Sequence, residues 1–335
     1  MNPTISLVIP VYNEEAVLPL LLARLDALAE RIEGGVEILM VDDGCRDRSG
    51  VLIAEKAARD PRYRYIALSR NFGHQAAITA GMELARGEAV IVMDADLQDP
   101  PEVVLSLIAS WREGNDIVHA RRRSRAGETW FKLLTARLFY RAINALSDVE
   151  LPADVGDFRL VSRRAIETFR AMPEQDHYVR GMFAWMGYRQ AFVEFDREER
   201  SAGETKYPFR RMLKLALNGV VSFSDVPLRA AIWAGSLISL GALAYGAFVV
   251  AMWLTGVGLV TGWASLAVLV SLLSGINLLM VGIVGIYVGR IHREVKGRPR
   301  YIVARDTAGE AVAAPSADLF PEGSIGARLL KDRAA

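Results

Sequence analysis

Two carboxylates lie two residues apart directly after one of the apolar runs of the sequence. Asp94 and Asp96 follow residues 90–93, and Gln98 comes two positions later, before a Pro-Pro pair. Carboxylates at i and i+2 beyond a buried strand repel each other unless a cation lies between them, and oxygen ligands suit Mg²⁺ or Mn²⁺. An Asp-X-Asp sequence alone is not specific, but its place at a strand end strengthens it. The pattern predicts a divalent metal site that binds a diphosphate.

A second group of polar residues ends the first two apolar runs. Residues 10–15 read Pro-Val-Tyr-Asn-Glu-Glu, and residues 42–44 read Asp-Asp-Gly. Acidic groups at strand ends can accept hydrogen bonds from a nucleobase and a ribose, as in dinucleotide-binding folds. Each group is equally consistent with a helix cap or a turn, so both interpretations stay open.

The elements that must position these residues alternate along roughly the first third of the chain. Short runs rich in Val and Ile alternate with turn residues and longer helical stretches. This order predicts an α/β fold with a mostly parallel sheet, covered on both faces, whose ligands lie at the carboxyl ends of the strands. The predicted strands are 5–10, 36–41, 63–68, 89–93 and 116–119, and the predicted helices are 14–31, 49–59, 73–85 and 101–112.

Bulk composition narrows the class of protein. The chain has 335 residues, 52% of them hydrophobic, and a net charge of +1, which favours a membrane protein and gives no indication of nucleic-acid binding. Its one cysteine, Cys45, excludes a disulfide framework and a multi-cysteine metal site. Residues 1–10 lack the basic and apolar regions of a secretory signal, so we expect the N-terminal domain to remain in the cytoplasm.

A long uncharged interval predicts two membrane spans. No charged residue occurs between Arg229 and Arg290, which leaves room for spans at 230–254 and 263–289. Lys and Arg flank the interval and are absent from its connecting turn, so the positive-inside rule places both ends in the cytoplasm. A buried hairpin in a soluble core is the alternative.

Two basic amphipathic stretches, 128–146 and 207–224, combine apolar side chains with Lys and Arg. Such helices can lie in the membrane interface. Packing against a core with a solvated basic face is the alternative for each, and the nearby spans favour the interface for the second.

Several motifs are distinctive together: residues 10–15, 42–44, 68–73, 80–81, 93–101 and 156–160, with Arg200, Gly203 and residues 206–208. In these motifs the chain resembles the inverting family 2 glycosyltransferases of the dolichyl-phosphate mannose synthase type. The predicted membrane hairpin narrows the resemblance to the bacterial branch of this family. Within that branch the chain is similar to bactoprenol glucosyltransferases and undecaprenyl-phosphate aminoarabinose transferases. The resemblance covers about residues 4–300, with Cys45 standing in a turn where Ser is usual.

The resemblance implies a GT-A fold, a Rossmann-like sheet with a nucleotide-sugar donor and a polyprenyl phosphate acceptor. It assigns Pro10, Tyr12, Glu14 and Asp42 to the nucleobase and ribose, and Asp94, Asp96 and Gln98 to the metal and diphosphate. It places Arg121, Lys132 and Thr135 near the acceptor phosphate, with Arg122 as an alternative to Arg121, and Arg200 and Lys206 on a loop that closes over the donor.

The expected chemistry needs charge and alignment more than a base. A phosphate monoester is largely dianionic at neutral pH, so this acceptor attacks without a strong general base. Asp157 is therefore expected either to orient the acceptor or an arginine, or to be purely structural. The metal with Arg200 and Lys206 stabilises charge on the leaving diphosphate, and attack from the opposite face inverts the anomeric centre. His74, His119 and His177 show no metal-ligand spacing and are expected to be structural.

These inferences predict transfer of one sugar, from UDP-glucose to undecaprenyl phosphate. The Gln-X-X-Arg-Trp motif of processive synthases is absent around Trp185, which favours a single transfer. Alternatives are GDP-mannose, a UDP-amino sugar or a UDP-aminoarabinose derivative as donor, or a non-catalytic membrane scaffold. We expect a homo-oligomer in the bacterial inner membrane, with a GT-A domain at 1–206, a juxtamembrane helix at 207–228, the hairpin at 229–290 and a cytoplasmic tail at 291–335, flexible from Asp306.

Overall fold

The computed structural model describes residues 3–123, 155–174, 179–196, 226–255 and 262–308. Eight strands form one sheet in the order β7-β5-β6-β4-β1-β2-β3-β8. The strands are β1 (Ile5–Val11), β2 (Val36–Asp42), β3 (Tyr63–Leu68), β4 (Ala89–Val92), β5 (Ile117–Arg122), β6 (Val155–Ser162), β7 (Gln190–Phe195) and β8 (Val303–Asp306). The helices are α1 (Leu18–Ala29), α2 (Ser49–Arg59), α3 (His74–Leu84), α4 (Val103–Arg112), α5 (Arg163–Arg170), α6 (Val179–Trp185), α7 (Val226–Leu254) and α8 (Trp263–Lys296).

The centre of the sheet is parallel, as the alternation of elements predicts. β1 pairs in parallel with β2 and β4, β2 with β3, and β5 with β7, whereas β6 and β8 run antiparallel to their neighbours. All seven residues of β1 are buried, which is typical of a strand covered on both faces. The carboxyl ends of β1, β2 and β4 consequently meet at one edge.

Helices cover the two faces of the sheet. One face packs against Leu21 of α1, Ile53 of α2 and Leu107 of α4. The other packs against Ile78 of α3 and Phe169 of α5. Successive strand residues point to opposite faces, so a continuous apolar run supplies both layers of the core.

Most predicted boundaries agree with the structure to within a few residues, with one instructive difference. α1 begins at Leu18 rather than at residue 14, because the amides of Glu14 and Glu15 donate to Ser49 Oγ and Asp47 Oδ2 instead of starting the helix. The loop after β1 is thereby tied to the loop after β2.

Two helices match the predicted hairpin. α7 has 29 residues and α8 has 34, and both are long and apolar enough to cross a membrane. At 1.5 Å per residue α8 is longer than a hydrocarbon core of about 30 Å, so its basic end, with Arg293 and Lys296, extends past the apolar part. Gly297 ends the helix in the left-handed conformation, with φ of 57°.

The segment after α8 adds a strand to the sheet. Residues 303–306, which lie within the predicted C-terminal tail at 291–335, form β8 and pair with β3. Arg64 and Asp306 form a buried ion pair with an N–O distance of 2.5 Å, and Tyr301 Oη donates to Glu83 Oε2 at 2.5 Å. The chain therefore returns to the catalytic sheet after the second helix. The rest of the predicted tail, residues 309–335, lies outside the described residues.

Candidate active site

The sheet register brings the Asp-X-Asp pair to Asp157. β6 runs antiparallel to β4, with Val92 opposite Arg159. Continuing this register by two residues places Asp94 level with Asp157. Two acidic motifs that are far apart in the chain therefore face the same cleft.

The loop after β4 holds its two aspartates in different surroundings. The Asp94 side chain is 35% exposed, yet its Oδ1 is buried and accepts no hydrogen bond from the residues that the structure describes. Asp96 Oδ1 accepts a hydrogen bond of 3.1 Å from the Gln98 amide, which closes a tight turn. Leu97, inside this turn, is buried with φ of 60°. The turn holds the loop in place while Asp94 keeps an unsatisfied oxygen.

Negative charge accumulates at the end of β4. Burial raises the pKa of Asp94 above its ordinary value; the charge of His74 opposes this rise, and the charges of Asp157 and Asp96 add to it. Burial and the charge of Asp94 also raise the pKa of Asp99 to about 7, while Arg122 opposes this rise. Carboxylates with raised pKa values and an orphaned oxygen form a site that a divalent cation would stabilise, so the residues fit the predicted metal.

The protein supplies only part of a coordination shell here. Within the described ranges, no three His, Cys, Asp or Glu side chains converge in a geometry that would hold a metal ion. An ion bound by Asp94 and Asp96 would complete its shell with water or phosphate oxygens, as Mg²⁺ usually does. The Gln98 side chain stays a predicted ligand.

Asp157 is enclosed by positive groups. Its side chain is 7% exposed and accepts hydrogen bonds from Arg180 Nε at 2.9 Å and Nη2 at 3.1 Å. Arg159 Nη2 donates at 3.2 Å and Gln75 Nε2 at 3.1 Å. Burial alone would raise the pKa of Asp157, but the contacts with His74 and Arg180 hold it far below its ordinary value. The lowered pKa and the contacts with Arg180 and Arg159 agree with the expectation that Asp157 orients an arginine side chain, which stays a prediction.

His74, which the sequence predicts to be structural, lies beside two carboxylates of this cleft. Its Nε2 lies 3.5 Å from both Asp94 Oδ1 and Asp157 Oδ2, and the ring is 48% exposed. Burial lowers the pKa of His74, but the two carboxylates outweigh this effect and raise it. Sequence reasoning also missed Arg180. A buried aspartate needs a cationic partner, and that requirement was the available signal.

The other histidines do not contribute to the cleft in the same way. His119 is buried in β5, and its Nε2 lies 3.0 Å from Gln190 Oε1. Burial, followed by the charge of Arg159, lowers the pKa of His119 to about 3, so it is a neutral core residue. His177 lies outside the described residues.

Asp42 and Asp43, at the end of β2, are both buried and both hold neighbouring segments. Asp42 Oδ1 accepts from the Cys45 amide at 2.7 Å, and Asp42 Oδ2 accepts from the Tyr65 hydroxyl at 2.9 Å. Asp43 Oδ1 accepts from the Phe72 amide at 2.7 Å, which fixes the loop before α3. The turn interpretation thus holds for both residues, and contact of Asp42 with a nucleoside stays a prediction.

The remaining residues of the predicted nucleoside site lie at the end of β1 and in the loop after it, and Val11 of β1 pairs with Asp42. Pro10 is buried at the end of β1, Tyr12 is exposed, and the Glu14 amide donates to Ser49 Oγ at 2.9 Å. Cys45 Sγ accepts a hydrogen bond from the Asn13 amide at 3.3 Å. The unusual cysteine therefore serves as an acceptor in the turn, as the expected serine would.

Arg121 and Arg122, the two candidates for binding the acceptor phosphate, have different surroundings in the structure. The Arg121 guanidinium stacks 3.8 Å from the centre of the Phe192 ring, and its Nε is buried without a hydrogen-bond partner among the described residues. Arg122 follows it on β5 and so points to the opposite face, where its charge acts on Asp99. The four other predicted residues, Lys132, Thr135, Arg200 and Lys206, and both amphipathic stretches lie outside the described residues.

The chain is similar to known proteins in its family domain, along most of its length and in its fold. Residues 6–170 match the glycosyl transferase family 2 domain. The chain is 46% identical to an uncharacterized glycosyltransferase, YkcC, of Bacillus subtilis strain 168, over 90% of this chain and 93% of that protein. It is 38% identical to a prophage bactoprenol glucosyl transferase homolog of Escherichia coli strain K12, over 90% and 98% of the two chains. Among solved structures, mannosyl-3-phosphoglycerate synthase from Rubrobacter xylanophilus is 20% identical, with a TM-score of 0.48, over 66% of this chain and 73% of that one.

The family match begins in β1 and ends with α5, so it spans the sheet edge that carries Asp42, Asp94 and Asp157. The mixed, mostly parallel sheet has the GT-A architecture that the resemblance implies. The relatives extend the match through the two apolar helices. The chain is a member of glycosyl transferase family 2.

Proposed function

We propose that this glycosyltransferase transfers one sugar from a nucleotide-sugar to a polyprenyl phosphate at the cytoplasmic face of a bacterial inner membrane. The observation that carries the proposal is the group of carboxylates around Asp94, whose pKa is raised mainly by burial, beside the Asp157–Arg180 pair. The bactoprenol glucosyl transferase homolog matches along nearly its whole length, which supports a lipid acceptor and glucose as the sugar. UDP-glucose is accordingly the first donor to test, with GDP-mannose and UDP-amino sugars after it.

Asp94 and Asp96 are the protein ligands proposed for Mg²⁺ or Mn²⁺. A bound divalent ion would stabilise the negative charge of the donor diphosphate. Pro10, Tyr12, Glu14 and Asp42 would then surround the nucleoside at the ends of β1 and β2, in line with ligand binding at the carboxyl edge of an open α/β sheet.

The chain's own basic residues would align the reaction. Asp157 orients Arg180, whose side chain is 38% exposed at the cleft and brings positive charge to the place where two phosphates must approach. Since the acceptor is already ionised at neutral pH, no residue has to remove its proton. Arg121 or Arg122 would hold the acceptor phosphate with Lys132 and Thr135, and Arg200 and Lys206 would close over the donor.

The two apolar helices would place this cleft at the bilayer. Lys and Arg lie before α7 and after α8 and are absent from residues 255–262, which supports cytoplasmic ends. A lipid acceptor remains in the membrane, so an anchored catalytic domain meets it by diffusion in two dimensions. The homo-oligomeric state belongs to this proposal as well.

A donor panel tests the function directly. The full chain in detergent is incubated with Mg²⁺, undecaprenyl phosphate and UDP- or GDP-sugars, and the lipid product is identified by mass. We expect one glycosylated lipid, whose mass increase equals a single hexose. Absence of product with every donor, or a product carrying several sugars, contradicts the proposal.

The metal role has its own test. Asp96→Asn keeps the size of the side chain but removes its charge, so we expect the rate to fall about 100-fold or more. A chelator should stop the wild-type enzyme, and added Mg²⁺ or Mn²⁺ should restore it. The matched control is Asp60→Asn, at the far end of α2, which should leave the rate unchanged. Full turnover in chelator would exclude the metal.

A further inference from the structure

The last strand of the sheet fixes the backbone of Tyr65. The Tyr65 amide donates to Thr307 Oγ1 at 2.9 Å, and the Thr307 amide donates back to the Tyr65 carbonyl at 3.1 Å. One position earlier, Arg64 and Asp306 form their buried ion pair. β8 thus sets the position of Tyr65 along β3.

The Tyr65 side chain reaches from β3 to the end of β2. Its hydroxyl donates to Asp42 Oδ2, and the Cys45 amide donates to the other carboxylate oxygen. A Cβ atom on Gly50 would lie 2.7 Å from Asp42 Oδ2 and 3.0 Å from the Tyr65 hydroxyl, so glycine is needed beside this hydrogen bond. The Asp42 carboxylate is therefore held from both sides in one orientation.

We propose that Tyr65 is a positioning residue of the donor site, and that β8 makes the orientation of Asp42 depend on the segment after α8. This inference rests on the proposed function in one respect, the assignment of Asp42 to the nucleoside of the donor. A carboxylate whose rotation is fixed before the ligand arrives loses less conformational freedom on binding. Loss of the Tyr65 hydroxyl would leave Asp42 Oδ2 without this partner and free the carboxylate to turn.

The chain offers a matched control on the same strand. The Tyr63 hydroxyl donates to Asp26 Oδ1 at 2.9 Å, the same distance as between Tyr65 and Asp42. Asp26 belongs to α1 and lies away from the end of β2. Tyr63→Phe and Tyr65→Phe thus remove the same atom from the same strand, and only the second change affects Asp42.

The experiment measures binding of UDP and of GDP to the full chain in detergent with Mg²⁺, by titration calorimetry. For the nucleotide that wild type binds, Tyr65→Phe should weaken binding on the order of tenfold, the effect of losing one hydrogen bond to a charged group. The donor KM should rise by the same factor with little change in kcat. Tyr63→Phe should bind like wild type, and wild-type binding by Tyr65→Phe, or equal weakening in both variants, overturns the proposal.

Variants of Thr307 test whether the segment that contains β8 affects nucleotide binding. They leave Tyr65 unchanged, so this test holds even if Tyr65→Phe does not fold. Thr307→Val removes the oxygen that accepts the Tyr65 amide, whereas Thr307→Ser keeps it. We expect weaker nucleotide binding in the first variant and wild-type binding in the second. Equal binding in both variants would show that β8 does not act on the donor site.

Asp42→Asn separates this inference from the proposed function. If Asp42→Asn binds the nucleotide as wild type does, Asp42 is not in the donor site, and both the assignment and the inference fail. If Asp42→Asn weakens binding while Tyr65→Phe does not, the donor site stands and only the positioning role of Tyr65 is wrong.

Discussion

At the level of single residues, the carboxylates of the cleft divide into two kinds. Burial and mutual repulsion raise the pKa values of Asp94 and Asp99, whereas hydrogen bonds from His74 and Arg180 lower the pKa of Asp157 well below its ordinary value. His74 and Arg122 only partly offset the raised pKa values of the first kind. This difference supports the proposals that a cation binds beside Asp94 and that Asp157 orients Arg180.

Replacement of Asp157 should lower the stability of the fold, because its carboxylate takes part in a buried ion pair. Asp157→Asn removes the negative charge from a buried ion pair with Arg159, whose side chain is 1% exposed. Removing one member of a buried pair costs about 3–5 kcal/mol, so we expect a marked fall in Tm together with loss of transfer. Thermal unfolding of the purified variants measures the first effect.

An exposed ion pair provides the comparison for Asp157. Glu102→Gln breaks a contact of 2.6 Å with Arg24 in which Glu102 is 53% exposed. Such surface pairs contribute about 0–1 kcal/mol, so Tm should barely change. Similar effects of Glu102→Gln and Asp157→Asn would mean that the buried pair is not a structural centre of the cleft.

Sequence spacing identified only the residues that are close in the chain. Asp94 and Asp96 stand two positions apart after an apolar run, so their chemistry is visible as a pattern. His74 and Arg180 reach Asp157 from two different helices, and the contact exists only after β6 has paired with β4. Such contacts leave no periodicity or spacing in the sequence from which they could be predicted.

At the level of elements, β8 depends on the pair between Arg64 and Asp306. Burial alone would raise the pKa of Asp306, but the hydrogen bonds from Arg64 lower it. A lowered pKa means that the pair stabilises the fold above the unfolded value of about 3.9 and loses this effect as pH falls through the lower folded value. Asp306→Asn should therefore reduce Tm by a constant amount between pH 7 and pH 5.

The difference between wild type and Asp306→Asn should shrink below about pH 4, where the wild-type carboxylate also becomes protonated. Thermal scans of both proteins from pH 7 to pH 3.5 measure it. Glu167→Gln, at a partly exposed pair with Arg170, should show no such dependence. A difference that grows toward acid pH would mean that folding raises the pKa of Asp306 instead of lowering it.

Strands with a clear apolar pattern could be predicted from the sequence, whereas a short strand without such a pattern could not. β1 to β4 are mostly apolar and almost entirely buried, as both faces of a parallel sheet require, and the sequence predicts them within a residue or two. β8 has only four residues, two of them charged, and follows a Gly- and Pro-containing segment. Its pairing comes from contacts with Arg64 and Tyr65, which are distant in the chain.

At the level of the whole molecule, β8 follows the two apolar helices in the chain. A variant that lacks these helices must therefore be designed to keep β8. Cutting the chain at residue 229 would also delete β8. Joining residue 225 to residue 300 through a flexible Gly/Ser linker keeps that strand. We expect this variant to bind nucleotide and to glycosylate a short, water-soluble polyprenyl phosphate.

The same variant should be slow with undecaprenyl phosphate in vesicles, because a lipid acceptor and an unanchored enzyme rarely meet. The ratio of the two rates, compared with that of the full chain, is the measurement. An unchanged ratio would show that the two helices do not serve to bring the enzyme to its acceptor.

The position of β8 has one more consequence. An open strand edge offers unpaired backbone groups to any neighbour, and proteins confined to a bilayer plane collide more often than proteins in bulk solution. In the described part of the chain, β8 covers the edge of β3 with a strand too short to template another, and Ala304 and Arg305 are exposed along it. The same few residues that complete the sheet thereby make it a poor nucleus for aggregation.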